Sequence, residues 1–292
     1  MKDFVSIGLI QLYVCDDSSK NRKKTEEKII RLAENGAQII CLQELYQTIY
    51  FPFEENEKHF DLAENIPGTS THLFQKLSDE YGITIIASLF EKRAKGLYHN
   101  TTIVTGLKDK KLGVYRKMHI PDDPGFYEKY YFTPSNDGYQ VFDSPFGKIG
   151  VLICWDQWFP EAARITALKG ADILFYPTAI GWELDSPDDL KKEEYDAWQT
   201  MMKSHAIANG LHVVAVNRVG IEHETEFWGG SFVSNPFGKI LYQASHQNEE
   251  IRQIIINTSE TESYRRRWPF LRDRRIDSYH PIEERFLDNT DK

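Results

Sequence analysis

One pattern recurs four times in this chain: a helix-forming stretch ends at a glycine, and an apolar run follows. The copies are AENGAQIICLQE (33–44), DEYGITIIASLF (79–90), ALKGADILFYPTA (167–179) and IANGLHVVAVNR (207–218). Glycine takes up the left-handed conformation just past a helix end without steric penalty. Runs rich in Ile and Val suit strands buried on both faces. Helices are therefore predicted over 18–35, 69–81, 160–169 and 187–209, each feeding a strand. Pro160-Glu161 suits a helical first turn.

A second element occurs twice. DSPFGKIG (143–150) and SNPFGKIL (234–241) share Pro-Phe-Gly-Lys-Ile. Pro and Gly stand where a type I turn accepts them, and apolar strands flank both copies, so each reads as a hairpin. The repetition reflects either common turn chemistry or two related sheet halves. Strands that follow helices and strands in hairpins together predict mixed sheets with helices outside. No internal linker interrupts residues 1–292, so one domain is expected. From about 258 the chain becomes charged and carries RRRWPFLRDRR (265–275), an arm that either packs on another subunit or is solvated.

The net charge of −9 argues against a general nucleic-acid binder, which needs a positive field to hold phosphates. Three cysteines are too few and too odd for a disulfide scaffold, and fit a reducing compartment. MKDFVSIGLIQLYV reads as a strand rather than a signal peptide. No apolar stretch approaches the ~18–20 residues that span a bilayer. A cytoplasmic protein with no membrane partner is expected.

Four residues could carry chemistry. Cys154 closes the apolar run KIGVLIC, and Trp155-Asp156 begins a turn before the helix at Pro160. A free cysteine is often only a small buried hydrophobe. A thiol at a strand tip, with the N–H groups of the next turn near an oxyanion, is the catalytic alternative. Cys15 and Cys41 read as structural. Glu44 closes AQIICLQE and precedes the aromatic LYQTIYFPF. Apolar surroundings favour proton uptake by a carboxylate, which suits a general base. Lys117 lies in KLGVYRKMHIPDDPGFYEKYYF (111–132), and Glu128 sits among the aromatics of the same loop. A base for the thiol and a cation for the thiolate or oxyanion would complete a set of Glu44, Lys117 and Cys154.

These segments resemble the nitrilase superfamily, the carbon–nitrogen hydrolases. The resemblance covers residues 3 to about 280 and rests on IICLQE, YRKMHIP, GFYEKYYF and LICWDQWFPEAAR, in that order. Within it, CWDQWFPEAARITALKGADILFYPTAIG (154–181) and FLRDRRIDSY (270–279) look like the branch acting on N-carbamoylputrescine. The resemblance implies an α/β fold, a four-layer αββα sandwich with two mixed sheets. It implies Cys154 as nucleophile, Glu44 as general base and Lys117 as oxyanion stabiliser. Glu128 would position substrate, and the Trp155 N–H would complete the oxyanion site. It implies no metal or organic cofactor, a small carbamoyl amine as substrate, and self-association through helices near the cysteine and the C-terminal arm. Relatives acting on carbamoyl amino acids need a cation for the carboxylate, and some carry arginines just after the cysteine. Here Asp156, Gln157 and Trp158 stand there, which favours an amine tail. Its acidic partners would come from Asp122, Asp156 and Glu183.

Other readings use the same residues differently. An amidase, a nitrilase or a carbamoyl amino acid hydrolase would share the triad. A non-catalytic regulatory protein would not need the intact Glu, Lys and Cys. A metalloenzyme would draw on His119, Asp122 and Asp123, and a papain-like pair would join Cys154 to His119 or His205.

Overall fold

The computed structural model describes residues 3–287; the ends of the expected single-domain span lie outside them. The first half runs β1 (Phe4–Gln11), α1 (Ser18–Glu34), β2 (Ile39–Leu42), α2 (Thr69–Tyr81), β3 (Thr84–Ala94), β4 (Leu97–Thr105) and β5 (Gly113–Arg116). A short helix, α3 (Glu128–Tyr131), follows. The second half runs β6 (Val141–Ser144), β7 (Gly147–Val151), α4 (Pro160–Leu168), β8 (Ile173–Pro177), β9 (Gly181–Glu183), α5 (Asp188–Asn209) and β10 (His212–Val216). Then come β11 (Val219–Glu222), β12 (Thr225–Trp228), β13 (Phe232–Ser234), β14 (Ile240–Gln243), β15 (Glu250–Asn257) and α6 (Ser259–Arg267).

The glycine-closed helices form as expected. Gly36, Gly82, Gly170 and Gly210 all have positive φ, at 88°, 66°, 97° and 59°. At the other end of α1, Asp17 is the N-cap: its side chain accepts from the N–H groups of Ser19 and Lys20.

Two six-stranded mixed sheets result, in the orders β15-β1-β2-β3-β4-β5 and β14-β13-β10-β8-β7-β6. In each, three neighbouring strands are parallel: β1, β2 and β3 in one, β7, β8 and β10 in the other. The side chains of β2 alternate. Ile39 and Cys41 enter the core shared with the second sheet, while Ile40 and Leu42 pack beneath α1 and α2 beside Ile29 and Phe74. On the far side α4 and α5 bring Ala163, Trp198 and Met202 onto the second sheet. The layers are helix, sheet, sheet, helix. A small sheet, β11-β12-β9, lies at one end.

Both Pro-Phe-Gly-Lys segments are hairpins, β6–β7 and β13–β14, and both belong to the second sheet, at its opposite edges. The repetition is therefore turn chemistry and does not mark the two halves. The halves are marked by the strand–helix–strand–helix–strand units instead. The C-terminal segment begins by docking on its own chain. Arg265 donates to Asn209 O at 3.0 Å and Ala171 O at 3.1 Å, and Trp268 packs edge-on against Phe237. Among the described residues, no helix is long and apolar enough to cross a membrane.

Candidate active site

The parallel strands of both sheets end at one place. The Glu44 N–H donates to Thr178 O at 3.3 Å, and the Thr178 N–H donates to Val216 O at 2.9 Å. The segments after β2, β8 and β10 are thus tied together. The crevice beyond the carboxyl ends of parallel strands is where open α/β sheets hold their ligands. Glu44 lies two residues beyond β2, Lys117 follows β5 directly, and Cys154 lies three residues beyond β7.

Glu44, Lys117 and Glu128 are completely buried. Lys117 Nζ donates to Glu44 Oε1 at 2.9 Å and to Glu128 Oε2 at 2.7 Å. Burial works against the Lys117 charge, but Glu128 and Glu44 outweigh it and hold the ammonium above the usual lysine range. Glu44 Oε1 also accepts from Asn100 Nδ2 at 2.6 Å, while Oε2 is buried with no hydrogen-bond partner among the described residues. A buried acceptor left free is costly, and such an atom is available to take a proton. Glu128 Oε1 accepts from the Tyr50 hydroxyl at 2.7 Å. Burial pushes the Glu128 carboxyl up to about 7, with Lys117 pulling it back.

Cys154 does not close a strand, as its apolar run suggests. It opens a short 3-10 helix, Cys154–Trp158, with φ of 40°. A non-glycine residue held there is strained by roughly 1–3 kcal/mol and needs its surroundings to fix it. Asp156 supplies that support. Its Oδ2 accepts from the Ile153 N–H at 2.9 Å and the Tyr115 hydroxyl at 2.7 Å. Its Oδ1 accepts from the His119 N–H at 3.0 Å and lies 2.7 Å from His119 Nδ1. The Cys154 thiol is pushed up by burial and by Glu44, with Lys117 opposing. A thiol shifted in that direction would need a base before it could serve as a nucleophile.

Several braces of this floor were not foreseen from the sequence. Asn100 holds Glu44, and Ser88 donates to Asn100 Oδ1 at 3.1 Å. The Trp198 indole donates to Gln157 Oε1 at 2.8 Å, tying α5 to the turn that carries Cys154. Arg218 reaches the backbone beside Glu44. The available signal was a polar side chain inside an apolar strand, such as Asn100 in LYHNTTIVT, or just past one, as in HVVAVNR.

A cavity of about 1260 Å³ opens over Cys154 and Glu128. Trp155, Trp158, Ile180 and Trp228 give it apolar walls. Leu190, Glu194 and Ala197 line it from one face of α5, as spacings of four and three residues dictate. Its acidic lining comprises Glu54, Asp123, Glu128, Glu183, Asp185, Glu194 and Glu224, and no Lys or Arg is among the described lining residues. Desolvation and the neighbouring Glu183 raise the Glu194 carboxyl.

Of the three residues expected to hold an amine tail, Glu183 alone lines this cavity. Asp156 is buried, and its carboxylate is used up on the turn, so it does not face a ligand. Asp122 is exposed and lies outside the lining. His119, Asp122 and Asp123 do not form a metal-ligating cluster; among the described residues there is none. His119 is engaged by Asp156 and stacks on Phe159, and His205 Nδ1 lies 2.8 Å from the Tyr176 hydroxyl in the core. Cys154 Sγ donates to Ala179 O at 3.7 Å, not to an imidazole.

Comparison with known proteins places this arrangement. The carbon–nitrogen hydrolase family profile matches residues 6–266. The chain is 40% identical over 287 residues to a protein named citrullinase from Francisella tularensis, covering 97% of this chain and 99% of that one. It is 41% identical over 285 residues to an N-carbamoylputrescine amidase from Solanum lycopersicum, covering 94% and 93%. A solved carbon–nitrogen hydrolase from Helicobacter pylori matches with a TM-score of 0.93 and 45% identity, over 97% of this chain and 100% of that chain. The chain belongs to the carbon–nitrogen hydrolases of the nitrilase superfamily, and it is an enzyme that hydrolyses C–N bonds of amides.

Proposed function

We propose that this enzyme hydrolyses N-carbamoylputrescine to putrescine, CO2 and ammonia through a thioester on Cys154. The observation that carries the substrate is the cavity lining: six acidic residues besides the lysine-paired Glu128, and no Lys or Arg among those described. Such a lining attracts the ammonium end of a carbamoyl diamine and repels a free carboxylate.

In this reading Glu44 takes the thiol proton, and Cys154 Sγ attacks the ureido carbonyl. Lys117 Nζ and the Trp155 N–H hold the oxyanion of the tetrahedral intermediate. The C–N bond breaks, and ammonia leaves with the proton from Glu44. Glu44 then activates a water, which opens the thioester and frees a carbamate. The carbamate falls apart to CO2 and the amine. Glu128 orients Lys117 and the ureido group. A ureido carbonyl is a weak electrophile, so covalent attack and oxyanion stabilisation are both needed. The residues that would do this are all supplied by the chain, so the reaction calls for no cofactor.

The relative named citrullinase favours a second reading. Citrulline carries the same ureido group on a chain that ends in an amino acid. Its ammonium would suit the acidic lining, but its carboxylate would not. Ammonia release from N-carbamoylputrescine, citrulline, N-carbamoyl-β-alanine, a simple amide and a nitrile separates the candidates. The carbamoyl diamine should lead in kcat/KM by at least about tenfold, the worth of roughly 1.4 kcal/mol. Equal or faster turnover of citrulline would overturn the preference. Self-association through the arm and a cytoplasmic location are part of the same proposal. A monomer by sedimentation at micromolar concentration would remove the former.

A further inference from the structure

Arg218 and Lys117 are both completely buried cations, and only Lys117 is placed by the mechanism above. Arg218 stands just past β10. Its Nη1 donates to Glu222 Oε1 and Oε2, both at 2.8 Å. Its Nη2 donates to Glu44 O at 3.1 Å and to Leu45 O at 2.8 Å. Both carbonyls of the turn that carries Glu44 are thus taken by one guanidinium. That turn is strained, because Leu45 has φ of 47°. Glu222 completes the brace by accepting from the Tyr50 N–H at 2.7 Å, and the Tyr50 hydroxyl donates to Glu128. The guanidinium lies 5.4 Å from the Phe227 ring centroid and 6.0 Å from that of Tyr50, between aromatic faces.

We infer that Arg218, held by Glu222, is a positioning residue for Glu44, fixing the strained turn so that the carboxylate meets Lys117 and the thiol. The inference rests on the reading of Glu44 as general base. An arginine is required because only its planar fork serves one carboxylate and two carbonyls at once; a lysine is a single point charge. The same pair also links the floor to the roof. Glu222 ends β11, next to His223 and Glu224, which line the cavity. A purely structural ion pair would hold the fold together without setting the rate of the folded enzyme.

The test compares Arg218→Ala, Arg218→Lys, Glu222→Gln and Glu44→Gln, with kcat referred to folded enzyme by cooperative thermal unfolding. In Arg218→Ala, kcat should fall about a hundredfold with KM within about threefold, as expected when a catalytic group is misplaced by about an ångström. Guanidinium chloride at roughly 20–50 mM should restore about tenfold of the loss, while an ammonium salt should not, because the fork is what is missing. Arg218→Lys should resemble Arg218→Ala. If Arg218→Ala does not fold, Arg218→Lys and Glu222→Gln decide: each should lower kcat more than about fivefold at near-constant KM. Parental kcat in Arg218→Lys or Glu222→Gln would overturn the inference, as would a loss confined to thermal stability. Substantial activity in Glu44→Gln would instead overturn the reading of Glu44 on which it rests.

Discussion

The floor of the cavity and its mouth both carry carboxylates, under opposite conditions. At the floor, Glu128 lines the cavity and Glu44 lies buried behind it on the same lysine; the two are braced by Tyr50 and Asn100. At the mouth, Glu183, Asp185, Glu194 and Glu224 are exposed and come from the end of β9, α5 and the β11–β12 turn. Water screens the mouth charges, so each is worth little to stability and, in the proposed function, acts mainly on a visiting cation. Burial makes the floor charges costly unless all their partners are present. Proton transfer at one atom needs a fixed geometry. Attraction of a flexible amine tail needs only a field of the right sign.

Substitutions should separate the two regions. The largest effect is expected for Cys154→Ala: ammonia release should be abolished, with a melting temperature within a few degrees of the parent. Measurable turnover by that variant would remove Cys154 from the chemistry. Next comes Lys117→Met. It strands two buried carboxylates, so activity should vanish and stability fall by about 3–5 kcal/mol, read from denaturant unfolding. A stable, active Lys117→Met would mean the floor is no tighter than the mouth.

Glu128→Gln sharpens the contrast through pH. The Glu128 carboxyl is raised from 4.5 to about 7. Between those values the folded protein holds a proton that the unfolded chain has released. The contribution of this group to stability is therefore fully present below 4.5 and is lost as pH rises through about 7. Melting temperatures across this range should show a flatter profile in Glu128→Gln than in the parent; parallel profiles would contradict the assignment.

The smallest structural effect is expected at the mouth. Glu183→Gln and Glu194→Gln should each raise KM for a carbamoyl diamine several-fold, leave kcat nearly unchanged, and shift stability by less than about 0.5 kcal/mol. Added salt should raise the parent KM and have less effect on the double variant. A fall in kcat without a change in KM would place these residues with the floor.

Much of the floor was legible because its residues stand where local patterns break. Glu44 and Lys117 follow apolar or alternating runs, and β2 and β5 do end beside them. Cys154 shows the limit of that argument. KIGVLIC reads as a strand up to the thiol, yet pairing stops at Val151 because the turn braced by Asp156 has already begun. Asp156, one of three candidates for the amine pocket, belongs to the turn instead. Its four hydrogen-bonding contacts come from Tyr115, His119 and Ile153, and no spacing rule announces them. Arg218 looked like the end of one more buried strand. Its role becomes visible only when β11 folds back and the Glu44 turn lies beside it.

The sequence by itself determined the elements and their order: glycine-closed helices, apolar strands, two Pro-Phe-Gly hairpins, and candidate site residues at or a few residues past strand ends. These follow from backbone preference and periodicity, which act between near neighbours in the chain. The tertiary structure decided which of those strand ends meet, which carboxylates are buried, and which face the cavity. The acidic lining is drawn from residues as far apart as Glu54 and Glu224. Such convergence depends on strand order and sheet packing, and these are set by the burial of whole faces rather than by any local segment.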